Sequence, residues 1–522
     1  EDESRLVRSI TGAVAATDGL FISTQGDLWE LDRDGVARRQ FTNDAFTDDQ
    51  LIGNPANQLL AFASDRGGSQ QIWLLDPADG SMQAVTTETG PAFAPAWRAD
   101  GRAIAYLAAD HTAAASARLK VLFLDQQQDD RRTARLGTVP RGTGTPSWIG
   151  DDRVAVASGA GQSALLAFDL GNPLPWTLPL PLPAGARVSA AQFSPDGSQL
   201  ALLADSQLFL VGRNAEGFDD QPRRVAREAS LPRWNPVDGS LLYQDHAGRL
   251  MRLDPASGDT RELTIRLRWR PRSAGRPLLV RAGRLFDGLG PGYQLRRNIL
   301  IRDGRIETIT GWSDPPPADA EIIDARELVV LPGLIDTAAR DGWPDGSRAG
   351  RSWLAWGVTS IRQWTDDLDA TRARRERWHS GKQPGPRLHT GLALCAPDLA
   401  RAGRRLAQAR RFAANSIELC GATPGDQLAE IAAFASRAGL GVATAAPFPG
   451  ALLGASEISL TGRRELLDAY PGGFDRFAYA DLTDLAGAGG LTVVSRLSPA
   501  GLPGLVQRSE SLLQAPAFSG LN

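Results

Sequence analysis

The chain has 522 residues, more than one ordinary hydrophobic core accommodates, so we expect several domains. An apolar content of 42% and a charged content of 22% fit a folded protein and exclude wholesale disorder. The net charge of −3 gives no electrostatic reason to expect nucleic acid or an anionic membrane as a partner. No run of consecutive apolar residues is long enough to predict a membrane span.

The start of the sequence bears on the location of the protein. The first residue is Glu1, and no basic segment followed by an apolar one precedes the first strand-like run. We therefore expect a periplasmic or secreted protein whose signal peptide has been removed, although a trimmed chain would look the same.

The first half of the chain is a repeat array. An aromatic residue, a turn and a strand-like run recur around four anchors, Trp97, Trp148, Phe193 and Trp234, which are 51, 45 and 41 residues apart. Four short strands in about 40–45 residues is the period of a β-propeller blade. The aspartates of the Asp-Gly turns are predicted to form hairpins rather than to bind calcium. We count six blades up to Leu263.

The amino-acid sequence of these repeats resembles that of a known family. Residues 63–73, Ala-Ser-Asp-Arg-Gly-Gly-Ser-Gln-Gln-Ile-Trp, and residues 193–197, Phe-Ser-Pro-Asp-Gly, resemble TolB-like propeller repeats. The resemblance implies a rigid disc suited to binding a protein, a peptide or a small molecule. It is specific for the fold and weak for function.

After residue 270 the pattern changes to strands alternating with helices. Strand-like runs are predicted at 278–285, 298–303, 305–309, 416–420, 441–444, 457–460 and 491–494, with a helix over 425–438. Such alternation predicts a parallel sheet or barrel. We count seven barrel strands. From Val329 to Asn522 there are 194 residues, whereas a complete barrel takes about 250, so we expect an incomplete barrel without its last strand.

This second half resembles the imidazolonepropionase-like amidohydrolases. The resemblance rests on the phrase Pro-Gly-Leu-Ile-Asp at 332–336 and on the segments 283–288 and 301–306. Together with the repeats of the first half, it predicts a multi-domain fold. The expected domains are an all-β six-bladed propeller at 1–270, a small β-sandwich segment at 271–328, and an incomplete TIM-type α/β barrel at 329–522.

Other residue types stand at the positions where the resemblance implies metal ligands. The first-strand His-x-His falls on Ala338 and Arg340, the fourth-strand ligand on Glu418, and the later histidines on Ala445 and near Ser459. A zinc hydrolase usually needs three or more well-placed ligands. The half has two histidines, His379 in a predicted loop and His389 on the predicted third strand, and both lie outside these positions.

Two functions stay open at this point. The first is a non-catalytic pseudoenzyme without a cofactor, acting as a binding or assembly subunit with a protein partner, such as a completing chain or a related hydrolase subunit. The alternative is a hydrolase of amide or cyclic C–N bonds that uses zinc or another divalent metal, with a rebuilt site or one completed by another chain.

Two pairings are predicted from the alignment. Cys395 and Cys420 follow adjacent strands, so they form a disulfide or remain buried thiols. Arg340 and Glu418 occupy facing ligand positions, so they form an ion pair unless Glu418 is turned outward by a one-residue slip.

Overall fold

A computed structural model describes residues 5–109, 116–124, 132–140, 142–157, 164–183, 186–214, 217–219, 221–270, 275–340, 346–395, 399–420, 425–444, 455–460 and 492–495. Over these ranges, no helix has both the length and the apolar character needed to cross a bilayer.

Short strands connected by tight turns build six successive antiparallel sheets. A short strand β1 (Arg5–Leu6) precedes the sheets, which are, in chain order: β2–β5 (Ile10–Ala16, Gly19–Thr24, Asp27–Asp32, Ala37–Gln40); β6–β9 (Asp48–Gly53, Leu60–Ser64, Gln71–Leu75, Met82–Ala84); β10–β13 (Ala92–Trp97, Ala103–Ala109, Ser116–Phe123, Thr133–Pro140); β14–β17 (Ser147–Ile149, Arg153–Ala157, Ala164–Asp169, Asn172–Pro179); β18–β22 (Val188–Phe193, Gln199–Ala204, Gln207–Asn214, Gly217–Phe218, Arg223–Ala226); and β23–β26 (Ala229–Trp234, Leu241–Asp245, Leu250–Leu253, Thr260–Leu263).

The six sheets form a closed ring. The first strands β2, β6, β10, β14, β18 and β23 contact one another in this order, and β23 also contacts β2. Two of the aromatic anchors link neighbouring sheets, because Trp148 Nε1 donates to the carbonyl of Ala96 at 3.0 Å and Trp234 Nε1 donates to that of Gln192 at 2.7 Å. Beyond the ring, β27 (Arg268–Trp269) pairs with β1, which joins its two ends. We call this part the six-sheet ring.

The turns of the ring explain its repeated aspartates. Asp196 Oδ1 accepts a hydrogen bond from the backbone N–H of Ser198, and Asp238 Oδ1 accepts one from that of Ser240. Gly197 and Gly239 follow these aspartates at φ of +72° and +70°, where a side chain would be strained. The aspartates are turn formers, as predicted.

A small sheet follows the ring. Its strands are β28 (Leu278–Leu285), β29 (Gln294–Arg302), β30 (Arg305–Gly311) and β31 (Glu321–Val330), in the spatial order β30-β29-β28-β31. The strand predicted at 278–285 has its predicted bounds, whereas β29 begins four residues before the predicted 298.

The rest of the described chain forms a parallel sheet with helices between its strands. In chain order the elements are β32 (Leu334–Arg340), α1 (Arg348–Ala355), β33 (Val358–Thr365), α2 (Leu368–His379), β34 (Arg387–Cys395), α3 (Leu399–Arg411), β35 (Ser416–Cys420), α4 (Gly425–Arg437), β36 (Gly441–Thr444), β37 (Glu457–Leu460) and β38 (Thr492–Ser495). The seven strands pair in sequence order, and every pair is parallel.

Candidate functional site

The parallel sheet has an apolar outer face and a polar inner face. Ile417 and Leu419 of β35 are buried in the same apolar cluster as Leu406 of α3 and Ile431 of α4. Because side chains alternate along a strand, Glu418 points to the opposite face. That inner face is the candidate site.

Arg340 and Glu418 form an ion pair on the inner face. Arg340 Nη2 lies 2.7 Å from each carboxylate oxygen of Glu418. The Glu418 side chain is 3% exposed, whereas that of Arg340 is 44% exposed. The predicted pair is confirmed, and Glu418 is not turned outward.

A second ion pair crosses the same face. Arg362 on β33 donates through Nη1 to Glu457 Oε2 on β37 at 2.7 Å and through Nη2 to Oε1. Its Nε donates to the carbonyl of Thr337 at 2.9 Å, and its Cζ lies 4.5 Å from the centroid of the Trp364 ring. The guanidinium is therefore held by two carboxylate bonds, one carbonyl and an aromatic face.

The two pairs require a curled sheet. Strands in a flat sheet are about 4.8 Å apart, so β32 and β35 would be separated by roughly 14 Å and β33 and β37 by roughly 19 Å. An arginine and a glutamate cannot span either distance. The side-chain contacts therefore place β32 and β33 on one wall of a trough and β35 and β37 on the other, with Arg340, Arg362, Glu418 and Glu457 between them.

Gly391 provides space for the aromatic floor of this trough. A Cβ added to Gly391 on β34 would lie 2.3 Å from the Trp364 ring. Trp364 is 2% exposed, so its ring fills the space that a larger side chain at 391 would need.

The other predicted site residues are placed in part. Ala338 is half-buried on β32, and its N–H donates to Asp336 Oδ1 at 2.8 Å. Ala445 and the Ser459 side chain lie outside the described residues. Within the described ranges, no group of three or more His, Cys, Asp and Glu side chains could hold a metal ion.

The structure places the backbones of the two cysteines side by side. Cys395 and Cys420 are register partners at the ends of the neighbouring parallel strands β34 and β35. Their side chains lie outside the described residues, so the disulfide stays a prediction.

The two histidines lie on regular elements. His379 is the last residue of α2, not a loop residue as predicted, because the helix continues to its C-cap at Ser380. Burial and the nearby Arg375 lower the pKa of His379. His389 is on β34, as predicted.

An acidic contact between the ring and the parallel sheet was missed in the sequence. Lys382 Nζ lies 2.7 Å from Asp27 Oδ2, and the backbone N–H of Ser347 donates to Asp65 Oδ2 at 2.7 Å. Burial raises the pKa of Asp27 to about 6 and that of Asp49 to about 7. Asp27 belongs to the first sheet of the ring, whereas Asp49 and Asp65 belong to the second, so only the packing of these two sheets brings them together.

Comparisons with known proteins give a low overall similarity. No family model matches the sequence, and no curated protein matches it. A puromycin-hydrolyzing peptidase of Mycobacterium tuberculosis has a TM-score of 0.37 and 13% identity over 94% of this chain and 87% of its own. A Xaa-Pro dipeptidase has a TM-score of 0.35 and 18% identity over 46% of this chain and 70% of its own. Molinate hydrolase has a TM-score of 0.33 and 14% identity over 44% and 75%. The last two are amidohydrolase-superfamily enzymes.

Proposed function

We propose that this protein is a non-catalytic, amidohydrolase-like binding or assembly subunit. The observation that carries the proposal is the Arg340–Glu418 ion pair. Arg340 stands where the family resemblance implies a metal-binding histidine, and Glu418 stands where it implies the fourth-strand ligand. A guanidinium on the carboxylate supplies the positive charge that a metal ion would otherwise provide.

The second ion pair supports the same conclusion. Arg362 takes both oxygens of Glu457, so this inner-face carboxylate is also engaged by a fixed cation. A divalent ion entering the trough would meet two guanidinium groups and would have to displace both from their carboxylates.

At the level of the fold, we propose a TolB-like six-bladed propeller followed by an incomplete amidohydrolase-like barrel with a small β-sandwich segment. The propeller is supported by six sheets of sequential antiparallel strands whose first strands close a ring. The barrel is supported by seven parallel strands in sequence order and by side-chain contacts that require a curled sheet. The repeats also lead us to propose an extracytoplasmic location, which cell fractionation tests.

An exposed apolar patch supports a role in assembly. It consists of Leu328, Leu331, Leu334, Ile335 and Trp356, whose exposed fractions are 61%, 55%, 55%, 68% and 83%. The N–H of Leu334 donates to the carbonyl of Gly357, next to Trp356, so these residues lie at the same end of the sheet. Several large apolar side chains exposed in one region are typical of protein interfaces. We propose that a protein partner covers it.

The partner surface is tested by photocrosslinking in the cells that produce the protein. A photoreactive phenylalanine replaces Trp356, and the matched control carries it at Leu174, which is 71% exposed on β17 of the ring. A crosslinked species of defined mass at 356 and not at 174 supports the partner. No adduct at 356, or equal adducts at both positions, contradicts it.

The non-catalytic role is tested by the metal content of the natively purified protein. We expect well under one equivalent of zinc, iron and manganese together by elemental mass spectrometry. One equivalent of a single metal, retained after dialysis and accompanied by hydrolysis of amide or cyclic C–N substrates, would establish the alternative of a metal-dependent hydrolase.

A further inference from the structure

A cavity of about 110 Å³ lies on the axis of the six-sheet ring. Every first strand contributes to its wall, from Val14 of β2 and Gly53 of β6 to Trp234 of β23. The last residues of β10, β18 and β23 form part of the cavity wall. Asp48 and Asp49 lie at the other end of a first strand, at the start of β6, beside the acidic contact with the parallel sheet. The cavity therefore lies toward the face of the ring opposite the parallel sheet.

The lining combines apolar and aromatic residues with Ser147, Gln192 and Ser194 and one charged group. Arg233 is the only charged residue among the described residues that form the wall, which otherwise includes Trp97, Trp148, Phe193 and Trp234. In the four aromatic-anchored repeats, the residue just before the anchor is Ala96, Ser147, Gln192 or Arg233. Only the last of these positions carries charge.

Arg233 has no acidic partner among the described residues. Its Nη2 donates to Thr145 Oγ1 at 2.9 Å and its Nη1 donates to the carbonyl of Pro232 at 3.1 Å. Burial alone lowers the pKa of Arg233 to about 10, with no opposing contribution from a carboxylate. Most buried guanidinium groups are compensated by an anion, because an uncompensated buried charge is costly.

The indole nitrogens of the tryptophans in this wall are not available to a ligand. The indole Nε1 of Trp97 is buried with no hydrogen-bond partner, whereas the corresponding nitrogens of Trp148 and Trp234 donate to carbonyls of the preceding sheets. The wall thus offers the Arg233 cation to an anionic group and aromatic rings to the rest of a ligand. Sites for small molecules have this composition: mostly apolar, with a few placed polar groups.

We propose that the axial cavity binds a small monocarboxylate, with the carboxylate on the guanidinium of Arg233 and a short apolar part against the aromatic anchors. The cavity of about 110 Å³ accommodates a carboxylate with a short apolar part. The carboxylate belongs either to a free short-chain acid or to the C-terminus of a peptide. This site is independent of the proposed function of the parallel sheet.

The first experiment uses the whole chain and isothermal titration calorimetry in a buffer free of carboxylates. Butyrate is compared with butyramide, and N-acetyl-alanine with N-acetyl-alaninamide, so each acid has a neutral match of similar size. We expect saturable binding of at least one acid and at least tenfold weaker binding of its amide. Binding of butyrate alone identifies a free acid as the ligand, and binding of N-acetyl-alanine alone identifies a peptide C-terminus. Binding of neither acid at 10 mM, or equal binding of acid and amide, overturns the proposal.

The second experiment assigns the binding to Arg233. Arg233→Met removes the charge at similar length, and we expect it to weaken binding at least tenfold. Arg33→Met is the matched control, because the Arg33 side chain is 70% exposed on the ring, where it forms an ion pair with Asp18. Unchanged affinity in Arg233→Met overturns the proposal. If that variant does not fold, Arg233→Gln also removes the charge, and unchanged affinity there overturns the proposal.

Discussion

The guanidinium of Arg340 on β32 lies 2.7 Å from both carboxylate oxygens of Glu418 on β35. Two strands separate these residues in the sheet, so the contact exists only because the sheet is curled. The pair therefore links the charge balance of the inner face to the shape of the sheet.

Removing the arginine should expose the cost of a buried carboxylate. We expect Arg340→Met to lower the free energy of unfolding by about 1–3 kcal/mol, because Glu418 is then left without its cation, and the exposure of Arg340 limits the loss. Urea denaturation measures it. The double variant Arg340→Met with Glu418→Leu should recover most of the loss, since both charges are gone.

The matched control for this series is Arg326→Met. Arg326 also pairs with a carboxylate, that of Asp324, but both side chains are more than half exposed. Its loss should stay within about 0.5 kcal/mol. Equal losses for Arg340→Met and Arg326→Met would mean that the inner-face pair is worth no more than a surface pair.

Arg362 should not tolerate lysine. Arg362→Lys keeps the charge but loses one of the two bonds to Glu457 and the stacking on Trp364, so we expect a loss of about 1–2 kcal/mol in the free energy of unfolding. The control is Arg302→Lys, whose exposed pair with Glu307 should change by less than about 0.5 kcal/mol. A tolerated lysine at 362 would contradict the fork geometry.

The contribution of Asp49 to the free energy of unfolding should fall as the pH rises from 4 to 7. Burial raises the pKa of Asp49 in the folded chain to about 7, far above the value of about 3.9 for an unfolded aspartate. The folded state therefore binds the proton more tightly, and this contribution is fully present below pH 4 and lost as the pH rises through 7. Burial raises the pKa of Asp27 and Asp48 in the same direction.

The variant Asp49→Asn isolates this contribution. It should reduce the fall in unfolding free energy between pH 5 and 8 by roughly 1–3 kcal/mol, measured by urea denaturation at each pH. Asp152→Asn is the control, because the Asp152 side chain is 71% exposed. An unchanged pH profile in Asp49→Asn would show that Asp49 is already ionised in the folded chain.

The cysteine pair provides a test of the strand register. Cys395 and Cys420 are register partners on neighbouring strands, and we expect them to form a disulfide in the oxidised protein. Titration of the denatured, unreduced protein should find no free thiol. Two reactive thiols would contradict the disulfide.

Much of the fold could be predicted because its signals are local. The strands at 278–285, 416–420, 441–444 and 457–460 have their predicted bounds, since each is a short apolar run delimited by turn residues. The Arg340–Glu418 pair could also be predicted, because the resemblance places both positions on the inner face.

The Arg362–Glu457 pair and the acidic contact were not predicted. Glu457 lies on the strand predicted at 457–460, but strand periodicity gives no distance between β33 and β37. Their contact depends on the curvature of the sheet, and the clustering of Asp27, Asp49 and Asp65 depends on the packing of the first sheet of the ring against the second. Both are properties of the tertiary structure.

The central claim is that the Arg340–Glu418 ion pair occupies two positions where the family resemblance implies metal ligands. The most direct measurement is a crystal structure of protein grown with excess Zn²⁺ and recorded at the zinc absorption edge. The account predicts an Arg340 guanidinium within about 3 Å of the Glu418 carboxylate and no anomalous peak on the inner face of the sheet. An anomalous peak between β32 and β35, with Arg340 displaced from Glu418, would contradict it.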